Sequence, residues 1–188
     1  MGSYDEYKRG RDLAWETLIR CGISSLPVEL DRVADTCGIK IISFKRAARL
    51  GLAQPEKLNG RVFVSEINGE KTVYVDTDKD KGSVRFSMAK GIGICLLSDD
   101  LKKIGKTTEY EAGIFARDLL MPAVVLYGLK AFSSDDIASF CGVSQRAAEI
   151  RAQRLAELRD RKRFYSHPLE QKVWRLFKKF IEENALEK

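Results

Sequence analysis

Arg85-Phe86-Ser87-Met88-Ala89-Lys90-Gly91-Ile92-Gly93-Ile94-Cys95-Leu96-Leu97 is the stretch whose reading decides the fold. It predicts a helix, with Ser83 placed to cap its start. Gly91 and Gly93 inside it should each cost about 1 kcal/mol relative to alanine. Tertiary packing must therefore hold this helix. Ser87 and Lys90 share the S-x-x-K spacing of serine acyl-enzymes, but no S-D-N or K-T-G follows. Gly91-Ile92-Gly93 lacks the third glycine of a phosphate loop and lies inside the helix.

Working outward, Glu109 to Leu120 predicts a second helix, ended by Met121-Pro122, with Ala112, Phe115, Ala116, Leu119 and Leu120 as core. Upstream, Tyr4 to Arg20 carries an amphipathic pattern that Gly22 stops. Ser24-Ser25-Leu26-Pro27 opens another helix through Val28, Leu30, Val33 and Ala34, stopped at Gly38. Lys40 to Phe44 reads as a short strand. Arg61 to Ile67 and Lys71 to Asp76 alternate apolar and polar residues around Asn68-Gly69, a strong hairpin signal. Asp76 to Gly82 brushes against a calcium loop, but the glycine falls one place late and Ser87 stands where a glutamate is wanted. It reads as a turn feeding the helix.

Ser134 to Ala148 has the pattern of a helix–turn–helix: Ser133 or Ser134 caps the first helix, Gly142 makes the turn and Ser144 caps the second. A DNA reader wants Arg, Lys, Asn or Gln at the exposed start of the second helix. Gln145 and Arg146 are there, with Arg151 and Arg154 behind and Arg159, Arg161, Lys162 and Arg163 beyond. Pro168 opens a last helix with Val173, Trp174 and Phe177 on one side and Arg175, Lys178 and Lys179 on another. That helix suits docking on its own core, a dimer contact or a partner's groove, with the first as default.

The chain has 188 residues and a formal net charge of +6. Residues 151–188 hold 11 Lys/Arg against 6 Asp/Glu, so almost all the excess lies in the last fifth of the chain. An acidic partner follows, either nucleic acid or an acidic protein face, or else a solvated helix face. The four cysteines form no C-x-x-C pair and read as reduced, buried thiols. No apolar run is long enough to span a membrane, and no signal peptide precedes the first helix. Met1-Gly2 hints at myristoylation, but Glu6 stands where Ser or Thr is wanted. A cytoplasmic protein without a membrane partner is expected.

The central stretch resembles the active-site helix of the ImmA/IrrE family of zinc metallopeptidases, roughly R-F-T-x-A-H-E-x-G-H-x-L-L. Glu109 to Pro122 is similar to that family's E-x-x-A-N-x-F-A-x-x-L-L-M-P, with Gly113 departing from its Asn or Asp. Cys21 to Ile42 looks like the family's usual opening. The resemblance implies an α+β fold: a zincin-like helical domain with a small antiparallel sheet over residues 1–125, a helix–turn–helix-like unit over 126–165 and a basic terminal helix over 166–188. It also implies that Lys90 and Ile94 stand in place of two zinc-binding histidines and Gly91 in place of the catalytic glutamate. Lys90 repels Zn²⁺, Ile94 has no lone pair and Gly91 has no side chain. The only histidine is His167. Glu109 matches the third ligand and would be left to pair with Lys90 or face solvent. No metal or cofactor is expected. If the pocket persists, Lys90→His, Gly91→Glu and Ile94→His together should regain zinc.

Members of that family are typically encoded in mobile elements or stress systems and cleave helix–turn–helix repressors. A member without catalytic groups would be a pseudoenzyme that binds a protein partner. That partner is a repressor, or a host defence factor such as a CRISPR nuclease in the anti-CRISPR manner. The alternative is a DNA-binding regulator acting through Gln145, Arg146 and the basic residues after them, with steep salt dependence.

Overall fold

The computed structural model describes residues 4–52, 62–161 and 164–186. It is α+β and mostly helical, with one small sheet. Helix α1 spans Tyr4–Arg20 and α2 spans Leu30–Thr36. Strand β1 covers Ile39–Ser43 and runs straight into α3, Phe44–Arg49, which Ser43 caps by accepting from the Arg46 N–H. Strands β2 (Phe63–Ile67) and β3 (Glu70–Val75) follow. Next come α4 (Lys81–Leu97), α5 (Lys106–Leu120) and α6 (Ala123–Gly128). Helices α7 (Ser134–Cys141), α8 (Gln145–Asp160) and α9 (Pro168–Asn184) complete the chain.

The sheet is mixed, not antiparallel as expected. Its order is β1-β3-β2, with β1 parallel and β2 antiparallel to β3. The hairpin is where Asn68-Gly69 put it: both residues take positive φ (53° and 77°), as a two-residue hairpin turn demands. The parallel partner was not foreseen because it joins segments separated by α3 and β2. Arg61, expected in the hairpin, lies outside the described residues.

Helix α4 occupies the middle of the molecule, between the sheet and α5. Asp80, not Ser83, is its N-cap; the Asp80 carboxylate accepts from the Ser83 N–H at 2.9 Å. At the other end, Lys71 donates to the Cys95 and Ser98 carbonyls at 2.7 and 3.0 Å, and Arg9 donates to the Leu97 carbonyl at 3.0 Å. An anion at the start and cations at the end complement the helix dipole. Both inner glycines permit close approach. A Cβ on Gly91 would meet Val73 Cγ1 at 2.3 Å, and one on Gly93 would meet Phe115 Cδ1 at 2.7 Å. Packing against β3 on one side and α5 on the other replaces what propensity lacks.

Helix α1 lies on α5, and α9 lies on α1 and α6 through Val173, Phe177 and Ile181. The terminal helix is thus docked on its own core. One cluster of buried residues runs from Ala14 to Ile181, so all three sequence segments share it. Ser133 and Ser144 cap α7 and α8, and Gly142 turns the chain at φ 61°. No described helix is long and apolar enough to cross a membrane.

Candidate functional site

Lys90 projects from α4 toward α5, where its Nζ lies 3.5 Å from Glu109 Oε2. The two side chains are 26% and 51% exposed, so this is a surface pair of roughly 0–1 kcal/mol. Gly91 faces Val73 and Val62, and Ile94 is buried in the core. Of the four positions, Lys90 and Glu109 meet at the surface, while Gly91 and Ile94 are packed inside. A glutamate at position 91 has no room for its first carbon. For the three substitutions to regain zinc, Val73 would have to yield to the side chain placed at position 91. Among the described residues, no three His, Cys, Asp or Glu side chains gather as a metal would require. No hydrogen bond joins Ser87 to Lys90, whose ammonium is turned to Glu109.

One helical turn from that ion pair, a groove of about 450 Å³ opens between α4, α5 and α8. Phe86, Met121, Ala147 and Ile150 give it an apolar floor, and Lys79, Arg117 and Arg146 stand around them. Ser87 and Gly113 lie on the stretch nearest Lys90 and Glu109, and nothing stands within 4 Å of a Cβ built on Gly113. Ile150, at the edge of this groove, is 49% exposed. The sequence had marked the cations of α8 and passed over Ile150. Its signal was an isoleucine off the buried stripe of Ala148 and Leu155.

Arg85 belongs to the frame of the central stretch and has a mechanical task. Its guanidinium donates to the Val28 carbonyl at 2.8 Å and reaches the Cys141 carbonyl at 3.5 Å. Burial pushes its pKa below the usual arginine value. It ties α4 to the C-terminus of α7, where carbonyls favour a cation. Gly82 completes that junction, since a Cβ there would meet Ser144 N at 2.2 Å. The start of α8, the end that a DNA-reading helix turns toward bases, is packed on α4.

The basic residues of the second unit are dispersed. Gln145 spends its amide on Ser134 Oγ (3.0 Å) and Asp135 Oδ1 (2.7 Å). Arg146 pairs with Glu149 at 3.3 Å and Arg154 pairs with Glu157. Arg159 lies over the Phe132 ring at 5.1 Å. Arg151, expected at a binding surface, is only 1% exposed and donates to Asp118 at 2.8 Å. It falls on the inward stripe with Ala148 and Leu155, and that spacing was readable. Asp118 also holds Arg117. Burial works to raise the Asp118 pKa, but the pull of Arg151 and Arg117 wins and holds it below the usual carboxylate range. Lys162 and Arg163 lie outside the described residues. On α9, Lys178 and Lys179 pair with Glu182 and Glu183 one turn on, and Arg175 is exposed.

Three of the four thiols are buried, and Cys37 is half-buried. Burial raises Cys95 and Cys141 to about 12, leaving both inert as nucleophiles. Comparison with protein-family models, curated proteins and solved structures gave no match.

Proposed function

We propose that this chain is a non-catalytic regulatory protein of the mobile-element type, which binds a protein partner and modulates or inhibits it. The observation that carries the reading is the apolar groove beside Lys90 and Glu109, with Ile150 open at its edge. Water-exposed apolar surface of this kind suits the apolar side chains of a partner. The cations around it suit an acidic flank on that partner. The resemblance to ImmA/IrrE peptidases names the class of target, a helix–turn–helix repressor or a host defence factor such as a CRISPR nuclease. It also supports a pseudoenzyme, because Lys90, Gly91 and Ile94 offer neither metal ligands nor a general base.

The DNA-binding alternative finds less support. Gln145 and Arg146 are engaged within their own unit, and Glu149 beside Ile150 puts a carboxylate and an apolar group where phosphates and bases would come.

Affinity capture with nuclease treatment tests the two together. The parent and Ile150→Glu are used as baits, with Lys178→Ala/Lys179→Ala as control. A protein held by the parent and the control but lost with Ile150→Glu is the expected result. Equal retention by Ile150→Glu overturns the groove, and recovery of nucleic acid alone overturns the protein-partner reading.

A further inference from the structure

A second hollow, of about 600 Å³, lies between α1, α8 and the start of α9. It is polar where the groove is apolar. Five of its lining residues are lysine or arginine and three are carboxylic acids, an excess of two positive charges with His167 neutral. The cations are Lys8 and Arg11 from α1, Arg151 and Arg154 from α8, and Arg161 at the C-cap of α8. Spacings of three and seven residues put the last three along one face of their helix. We propose that this cavity binds a small phosphate ester of nucleotide size.

The carboxylates are already engaged. Asp12 pairs with Arg11 at 2.7 Å and lies 3.9 Å from His167 Nε2. Asp118 is shared between Arg117 and Arg151. Burial pushes Glu170 above the usual glutamate value, while the backbone N–H groups of Tyr165, Ser166 and His167 and the charge of Arg11 pull the other way. No described residue forms an ion pair with Arg161, and the Nε of fully buried Arg151 has no hydrogen-bond partner. A buried donor without an acceptor, on a residue that lines the cavity, leaves this cation short of a partner.

The arginines are held through their faces. Arg11 lies over Trp15 at 4.7 Å and over Tyr7 at 5.8 Å, and Arg154 lies over Tyr7 at 5.9 Å. Stacking fixes a guanidinium plane while its N–H donors stay in that plane; Arg11 gives two of them to Asp12 and Arg154 gives one to Glu157, and the rest can meet a phosphate. A phosphate monoester carries about −1.5 to −2 at neutral pH, the sign that a lining richer in cations attracts. The volume falls within the roughly 300–1,000 Å³ of small-molecule sites. Ala123 and Leu158 supply an apolar stretch for the organic part.

The test is calorimetric titration of the full chain with inorganic phosphate, pyrophosphate, AMP and ADP, with thermal stabilisation as a second readout. Arg161→Ala and Lys8→Ala trim the rim and leave the Asp118 cluster intact; Lys178→Ala/Lys179→Ala is the control. Saturable binding of AMP or ADP is expected. Each rim variant should weaken it about tenfold or more, the scale of one charge-assisted hydrogen bond. The control and Ile150→Glu should bind as the parent does, so the outcome is independent of the groove. No saturable binding at millimolar ligand overturns the proposal, as does equal weakening by the control. Phosphate binding as tightly as AMP and ADP would overturn the ester assignment.

Discussion

Gly91 shows how packing can reverse a propensity. On helix-forming tendency alone, Gly91→Ala should gain about 1 kcal/mol. Its Cβ would instead come within 2.3 Å of Val73 Cγ1, with Val62 Cγ1 at 3.0 Å. Both are short, branched side chains that yield little. Overpacking of this sort costs about 1–3 kcal/mol, so a net loss is expected in urea unfolding. The double variant with Val73→Ala should recover part of it, since the cavity and the added methyl offset each other. At this scale much was legible. Asn68-Gly69, Ser133, Ser144, Gly142 and Pro168 each set the local backbone by their own chemistry. Ser83 misled, because Asp80 stands one turn earlier and competes for the same orphan N–H groups. Arg151 misled because its residue type was weighed ahead of its place on the helical stripe.

Between elements, the joint that matters most is the one linking α5 to α8. Asp118 sits buried between Arg117 and Arg151, with one acceptor group for two cations. Asp118→Asn leaves those guanidiniums buried without a counter-charge, and about 3–5 kcal/mol of stability should be lost in chemical denaturation. The pH dependence has a defined sign. The carboxyl is held below its ordinary 3.8, so its contribution is fully present above that value and fades as pH falls through the lower folded value. The acid limb of the stability curve should therefore be steeper in the parent than in Asp118→Asn. Interactions of this kind were hidden from the sequence. So were α3 and α6, each of six residues, too short for a periodic signal. The β1–β3 pairing was hidden too, because no turn residue announces a parallel neighbour.

Across the whole molecule, one cluster of buried residues draws on all three segments of the sequence. Arg85, Gly82 and the α9 residues Val173 and Phe177 tie the segments together. A single cooperative transition is expected by calorimetry, with calorimetric and van't Hoff enthalpies agreeing. Two resolved transitions would show that α7 and α8 melt apart from the rest. The candidate sites were half legible: the sequence marked α8 but not its partners, since Lys8 and Arg11 lie more than a hundred residues away from it. Helix α8 separates the two hollows, turning Arg146 and Ile150 to the groove and Arg151 and Arg154 to the cavity. Arg117 lines one and Arg151 the other, and both lean on Asp118. An anion that draws either arginine away leaves that carboxylate depending on the one that remains. A second anion on the opposite side would strip the last counter-charge from a buried acid. Occupants of the two hollows that draw on these arginines are therefore antagonists, each weakening the other by the same factor, because they compete for the loyalty of a single side chain.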